Sequence, residues 1–157
     1  MAGARVIDKD RGLTKILANM KDLDGKKVAV GFQGPEGGAI HPDSELDNVS
    51  LAVIHEFGAP GAGIPERSLI RATFDARVEI WIKQATKIAE RVYSTTPETP
   101  GRALGILGEL AVSDYRKAIT AGIPPPLKAA TIARKGSSTP WLDTGILRNA
   151  ITWTVRA

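Results

Sequence analysis

Twenty residues from Ala52 to Arg71 read AVIHEFGAPGAGIPERSLIR, and the rest of the chain is predicted to be organised around them. This stretch ends a short apolar segment, crosses through glycines and prolines, and begins the longest predicted helix. Glycine adopts positive φ at little cost, whereas proline restricts φ and removes a hydrogen-bond donor. We therefore expect a Gly/Pro crossing at residues 58–66, an ordered irregular loop that serves as a docking element.

The composition bounds the class of protein. With 157 residues, 43% of them apolar, the chain suits a single domain over residues 1–157 with a modest core. It has no cysteine, which excludes disulfides, thiolate nucleophiles and zinc–thiolate sites. No apolar run approaches the roughly 20 residues of a membrane helix, and the N-terminus lacks a signal-peptide core. We expect a soluble cytoplasmic protein with no membrane partner.

Charge is distributed unevenly along the chain. From Arg116 to the end there are seven basic residues and one acid, which gives +6; the whole chain is +4, so the remainder carries −2. A basic C-terminal third can attract DNA, or it can mate with the acidic face of a neighbouring copy. No motif for reading bases accompanies it, so the nucleic-acid alternative is nonspecific contact with phosphates.

Short elements are predicted before the crossing. Asp8 or Asp10 can cap an amphipathic helix that stops near Gly25. Alternation of apolar residues predicts a half-buried strand over 27–32, and the acidic, glycine-containing segment 33–48 is predicted to be an extended loop with an optional strand at 39–41. A further short helix is predicted, capped by Asn48 or Ser50 and ending before Gly58. Near one face it is expected to carry Leu51, Ile54 and Phe57.

Two long helices provide the strongest periodic signal. The first runs from Ile70 to about Tyr93, and its apolar stripe predicts core positions that include Phe74 and Trp81, with Arg77 on the charged outer side. Prolines and a glycine break the helix over 95–101. The second runs from about Arg102 to Thr120, and the short connection predicts an antiparallel hairpin.

The C-terminal part combines a Pro-rich arm with a closing strand. Residues 123–140 form the arm, extended at the prolines and with a short helical turn over 127–136. A turn follows at 141–145, in which Asp143 or Thr144 can cap a few helical residues. Apolar residues then alternate over 151–155 and predict a strand that pairs with 27–32. The predicted fold class is α+β: two long antiparallel helices and shorter helices on a small antiparallel sheet, with long ordered loops.

Three separated blocks carry a resemblance to a known family. The segments AVIHEFGAPGAGIPERSLIRATF, PPLKAATIARKG and PWLDTGILRNAITWTV cover roughly Ala52 to Val155 in the order that this family shows. They resemble the tail-completion or neck proteins, the tail-component and virion-morphogenesis type, of long-tailed bacteriophages. The matching positions in the three blocks are Glu56, Phe57, Gly58, Pro65, Arg67 and Arg71; Pro126, Leu127, Thr131 and Lys135; and Asp143, Thr144, Gly145 and Leu147.

The resemblance implies a structural, noncatalytic role in the virion. Proteins of this family sit at the head–tail junction, commonly as a hexameric ring that meets tail terminator or tail-tube proteins on one side and head connector or stopper proteins on the other. It implies assembly in the host cytoplasm and permits nonspecific contact with packaged DNA. Subunit-contact or loop-ordering roles then fall to Glu56, Phe57, Gly58, Pro65, Arg67, Arg71, Asp143, Thr144 and Gly145. Two positions depart from the family pattern, Trp141 for an aliphatic residue and Ala150 for a serine.

Enzymatic and metal-binding alternatives find little support. His55-Glu56 lacks the second histidine of the zinc-protease pattern, and with His41 as the only other histidine a three-histidine site is excluded. Three alternating loop carboxylates lack the glycine and terminal glutamate of a helix–loop–helix calcium site: Asp43, Glu45 and Asp47. We expect no metal and no cofactor.

No nucleophile elbow, phosphate-binding loop or dinucleotide fingerprint occurs in the sequence. Glu56 and Glu66 could act as an acid/base pair, but Glu56 is better explained as the partner of Arg67, Arg71 or a backbone amide. The prediction is therefore not an enzyme. A nonspecific DNA-binding module that uses the basic C-terminal third remains the alternative, and a small hydrolase that depends on Glu56 and His55 is a further one.

Overall fold

A computed structural model describes residues 12–42, 44–94, 99–142 and 144–157, so the caps predicted at Asp8 and Asp10 lie outside it. The α+β class is confirmed: helices pack on a small two-stranded antiparallel sheet. No helix within the described ranges is long and apolar enough to cross a membrane. The elements, in chain order, are α1 (Leu13–Leu23), β1 (Lys27–Phe32), α2 (Gly34–Gly38), α3 (Asn48–Phe57), α4 (Ile70–Val92), α5 (Pro100–Ala121), α6 (Ala129–Lys135), α7 (Ile146–Asn149) and β2 (Ile151–Arg156).

The sheet joins the two ends of the described chain. Strands β1 and β2 pair antiparallel, as predicted, and the register places Lys27 opposite Arg156 and Phe32 opposite Ile151. One face of the sheet lies on α5, where the indole of Trp153 packs against Gly108. A Cβ atom at Gly108 would come within 2.4 Å of Trp153 Cδ2, so this helix position requires glycine.

Helices α4 and α5 form the predicted antiparallel hairpin, and a buried carboxylate lies between them. Asp114 on α5 accepts hydrogen bonds from Arg77 Nε at 3.0 Å and Trp81 Nε1 at 2.8 Å. Arg77 was predicted on the outer side of α4, and that prediction was wrong because the buried Asp114 carboxylate needs a cationic partner. Phe74, predicted in the core, is 48% exposed and contacts Trp81 edge to face.

The start of α5 also differs from the prediction. The helix begins at Pro100 and includes Gly101, whereas both residues were predicted to lie in the break between α4 and α5. A proline is tolerated in the first turn of a helix because its missing N–H has no intrahelical acceptor there. Thr99 caps the helix by accepting the Arg102 N–H at 3.4 Å. Residues 95–98 of the predicted break lie outside the described part of the chain.

The segment 33–48 is more ordered than predicted. It contains α2 in spite of three glycines. The helix packs closely on Phe32, since a Cβ at Gly37 would lie 2.9 Å from the Phe32 backbone, and Asn48 Nδ2 holds it by donating to the carbonyl of Glu36 at 2.7 Å. The N-cap of α3 is Asp47, which accepts the Ser50 N–H at 2.6 Å, rather than Asn48 or Ser50. Asn48 is buried and holds α2, so it is not available as a cap.

The core gathers around the inner face of α5. Buried residues from α3, the start of α4, the Pro-rich arm and β2 meet the α5 side chains there, and Trp141 is the largest of them. This placement brings the arm back against the beginning of α4. The principal buried apolar residues of the cluster are Leu69, Val112, Tyr115, Ile119, Ile123, Trp141, Leu147 and Ile151.

Candidate functional site

Glu56 is the residue that fixes the Gly/Pro crossing to α4. It is 5% exposed, and its two carboxylate oxygens accept the backbone N–H groups of Leu69, Ile70 and Arg71 at 2.7, 2.8 and 3.1 Å. The Ser68 hydroxyl also donates to it at 2.7 Å. The first N–H groups of a helix have no intrahelical acceptor, and the positive end of the helix dipole favours an anion. Glu56 therefore caps α4 from another helix.

The environment of Glu56 favours its ionised form. Burial alone raises the pKa of a carboxyl, but the hydrogen bonds from Ile70 N–H, the Ser68 hydroxyl, Arg71 N–H and Leu69 N–H outweigh it and lower the pKa of Glu56 below its ordinary value. The predicted partnership with Arg71 and backbone amides is confirmed, whereas Arg67 binds elsewhere.

Arg71 links this cap to the exposed end of α3. Its Nε donates to Glu56 Oε1 at 3.1 Å, and its Nη2 donates to Glu66 Oε1 at 2.7 Å. Hydrogen bonds to Glu56 and then Glu66 raise the pKa of Arg71. The guanidinium also lies over the ring of Phe57, 4.7 Å from its centroid, while Phe57 itself is exposed. The Phe57 ring is therefore held in place on the surface.

The crossing is a tight, hydrogen-bonded turn. Ala59 and Ile64 exchange backbone hydrogen bonds of 2.8 and 3.1 Å around a short 3₁₀ turn at 60–62. Gly58 has φ 74°, and a Cβ there would lie 2.7 Å from the Glu66 nitrogen. Only glycine fits both the conformation and the space. The predicted ordered irregular loop is present, stabilised within the chain.

Arg67 fastens the crossing to the Pro-rich arm. Its side chain is 5% exposed, and it donates to the carbonyls of Pro125 at 2.7 Å and Pro126 at 3.2 Å. In return, Trp141 Nε1 donates to the Arg67 carbonyl at 3.0 Å. Trp141 has φ 65°, which is unusual for a bulky residue, and its ring stacks on Phe32. Crossing, arm and the 141–145 turn are thus joined at one residue.

These contacts enclose a cleft of about 780 Å³. Its walls are the end of the crossing, the proline arm with α6, the side of α3 that carries Leu51 and His55, and the start of α7. We call it the crossing–arm cleft. Residues that line it include His41, Leu51, His55, Ile64, Pro65, Arg67, Pro126, Leu127, Lys128, Thr131, Arg134, Trp141, Thr144, Gly145, Ile146 and Leu147.

The cleft is cationic and apolar. Arg67, Lys128 and Arg134 contribute positive charge, and the described part of the lining contains no carboxylate. No described carboxylate lies within ion-pair distance of Arg67, whose pKa is lowered by burial. Asp43 and Asp143, which adjoin lining residues in the sequence, lie outside the described residues. This chemistry suits a ligand that carries both carboxylates and apolar groups.

Eight of the nine predicted site residues fall into two groups. Pro65, Arg67, Thr144 and Gly145 line the crossing–arm cleft. The second group lies where α3, the crossing and the start of α4 meet, and comprises Glu56, Phe57, Gly58 and Arg71. Asp143, the ninth, lies outside the described residues. The N-cap residue of α7 is Gly145 rather than Asp143 or Thr144, and the Thr144 Oγ1 one position earlier accepts the Ile146 N–H at 3.4 Å.

The predicted contact residues did not include Trp141, His55, Lys128 or Arg134. His55 was named only in the hydrolase alternative, and Lys128 and Arg134 only as part of the basic C-terminal third. The pairing of Trp141 with the Arg67 carbonyl spans 74 positions and leaves no local signal. For Trp141, the one available indication was that it stands where the family pattern has an aliphatic residue. Among the described residues, no group of three or more acidic or histidine side chains is placed to hold a metal ion.

Comparison of the chain with protein-family models, with curated proteins and with solved structures gives no significant match.

Proposed function

We propose that the protein is a structural, noncatalytic virion protein of the head–tail junction of a long-tailed bacteriophage. Copies form a ring that joins the tail to the head connector, and the crossing–arm cleft receives a segment of a partner protein at that junction. The partner is a connector or stopper protein on the head side, or a tail terminator or tail-tube protein on the tail side.

One observation carries this proposal. The three blocks that resemble neck proteins lie far apart in the sequence, and each contributes residues to the same cleft. The first contributes Pro65 and Arg67, the second Leu127 and Thr131, and the third Gly145. Residues that make up one family pattern are expected to share a function, and the simplest shared function of residues around one cleft is to bind the same partner.

The construction of the cleft also suits docking. In the described chain, Arg67 and Trp141 fasten the crossing and the arm to each other. A preformed cleft loses less conformational entropy when a partner segment binds. The mixed lining fits a partner segment that has acidic residues beside apolar ones.

Light scattering and co-elution test the proposal. The protein alone, and the protein mixed with tail-tube and connector proteins, are separated by size, and their masses are measured. We expect a closed ring and a stable complex with at least one of those proteins. Monomers under every condition, with no complex, would refute the function.

Charge reversal in the cleft identifies the docking surface. Lys128→Glu with Arg134→Glu is expected to weaken partner binding by about tenfold or more, since each removes a cation next to apolar surface. Lys83→Glu with Lys87→Glu makes the same change in net charge on the exposed side of α4 and serves as the matched control. Equal weakening by both pairs would show that only net charge matters.

The second candidate is the nonspecific DNA-binding module. A groove lined by Arg116, Lys117 and Arg148 favours it. However, the Arg116 guanidinium already donates to the carbonyls of Arg148, Asn149 and Ile151 at 3.0 to 3.3 Å, so part of this basic region stabilises the α7–β2 junction. DNA affinity that falls steeply with salt would support this module, and a filter-binding titration measures it.

A further inference from the structure

Helix α1 presents an apolar stripe that the rest of the described chain leaves uncovered. Leu13, Leu17 and Met20 recur at helical spacing and are between 49% and 63% exposed. The helix has no buried residue and is held to the body by its other side, where Asn19 Nδ2 donates to the Val92 carbonyl at 3.1 Å. Three large apolar side chains on one exposed face are unusual for a surface helix.

Helix α3 presents a second stripe of the same kind. Val49, Val53 and Phe57 lie one turn apart and are 38%, 51% and 57% exposed. Residues two positions away point to the far side of a helix, so this stripe lies opposite Leu51 and His55, which line the crossing–arm cleft. The outer face of α3 is therefore a surface separate from the cleft.

The two stripes differ in charge. Residues 28–66, which include α3, contain six acids and no lysine or arginine. Arg71, whose guanidinium lies over Phe57, is paired with two of these acids, Glu56 and Glu66. Residues 13–27, which include α1, contain four lysines and two aspartates, and one of these aspartates, Asp22, is paired with Lys26 at 2.6 Å. Contact between two α3 stripes would bring carboxylates together, and contact between two α1 stripes would bring lysines together. Contact of α1 with α3 brings opposite charges together.

The stripes also lie at opposite ends of α4. Asn19 fixes α1 at Val92, the last residue of α4, and Arg71 holds Phe57 beside its first turn. At a rise of 1.5 Å per residue these points are about 30 Å apart. Two different, distant patches on one molecule make a heterologous contact, which repeats from copy to copy and closes into a ring if the rotation permits.

We propose that the α1 stripe of one copy packs on the α3 stripe of the next, and that this helix pair is the repeating interface of the ring. The inference rests on the proposed function and adds which surfaces mate. It separates two roles in the molecule: the α1 and α3 stripes join identical copies, and the crossing–arm cleft receives a different protein.

Single substitutions on either stripe test the interface. Leu17→Glu and Val53→Glu each place a charge in an apolar stripe, and glutamate favours the helical conformation. Each substitution is expected to raise the protein concentration at which half of the copies are assembled by about tenfold or more. Ala18→Glu adds the same charge to an exposed position of α1 outside the stripe and should assemble like the wild type. Thermal unfolding of the variants verifies that all three remain folded.

A mixture of the two variants gives the decisive result. A copy with a defective α1 stripe and a copy with a defective α3 stripe still share one intact pair of surfaces, so Leu17→Glu and Val53→Glu together should form one-to-one dimers that grow no further. The assay is run by light scattering under conditions in which the wild type assembles. Undiminished assembly of either variant, or a mixture without dimers, overturns this interface and leaves the ring standing. A wild type that remains monomeric, alone and with tail-tube and connector proteins, overturns the proposed function itself.

Discussion

Glu56 on α3 accepts the backbone N–H of Leu69, the N-cap residue of α4, at 2.7 Å. Leu69 has no side-chain oxygen with which to cap the helix, and the carboxylate from thirteen positions earlier takes that role. Residues 56–58 and residues 67–71 of the first block are therefore the two halves of one capping arrangement. The glycine-rich residues between them are the turn that brings the halves together.

Glu56→Gln should destabilise the fold by about 2 to 4 kcal/mol. The amide keeps one acceptor oxygen but gives up the negative charge, and the second oxygen is replaced by a donor that faces backbone N–H groups. Chemical denaturation measures the change. Glu66→Gln removes only the exposed contact to Arg71 and is the matched control, for which we expect a change within about 0.5 kcal/mol.

The stabilisation from Glu56 should depend on pH in a defined direction. Its pKa is lowered from 4.5 in the folded chain, so the unfolded chain binds more protons when the pH falls below that value. The difference in unfolding free energy between wild type and Glu56→Gln should be complete at neutral pH and shrink as the pH falls through the folded pKa. A difference that grows on acidification would contradict the capping role.

Gly58→Ala should destabilise the protein by about 2 to 4 kcal/mol, because φ 74° is strained for alanine and the Cβ would lie 2.7 Å from the Glu66 nitrogen. Gly61 belongs to the same crossing and a Cβ there meets nothing within 4 Å. Gly61→Ala is therefore expected to be neutral. Equal melting temperatures for the two variants would mean that the crossing is not held as described.

Gly108→Ala should weaken the packing of the sheet on α5 by about 1 to 3 kcal/mol, since the added methyl overlaps Trp153. In a Trp153→Leu background the same change should cost much less, and the double-mutant cycle measures that coupling. Gly101→Ala, in the open first turn of α5, is expected to leave stability unchanged or slightly increased. Additive costs in the cycle would argue against the Gly108–Trp153 contact.

The fold could be predicted from the sequence where the signal lay in neighbouring residues. The apolar period of residues 70–92 and the alternation in both strands predicted elements that the structure contains with small changes at their ends. Contacts between distant residues could not be predicted in this way. Arg77 turned inward for a carboxylate 37 positions away, and the glycines of 34–38 formed a helix because Phe32 and Asn48 pack on it.

The candidate site was predicted only in part, for the same reason. The residues around Glu56 could be identified because they lie close together in the sequence, at the spacing that the first block of the family pattern shows. The crossing–arm cleft depends on Arg67 reaching Pro125, 58 positions away, and on the unusual backbone of Trp141. Neither contact has a periodicity or a local signature. A sequence pattern indicated which residues belong together, and the structure gave the surface that they form.

Electron cryo-microscopy of the assembled junction, at a resolution that resolves side chains, tests the central claim most directly. We expect a ring of copies in which density from a neighbouring protein fills the crossing–arm cleft beside Arg67, Lys128 and Arg134. A junction in which residues 58–66 and 123–140 of every copy face solvent and touch no neighbour would contradict the account.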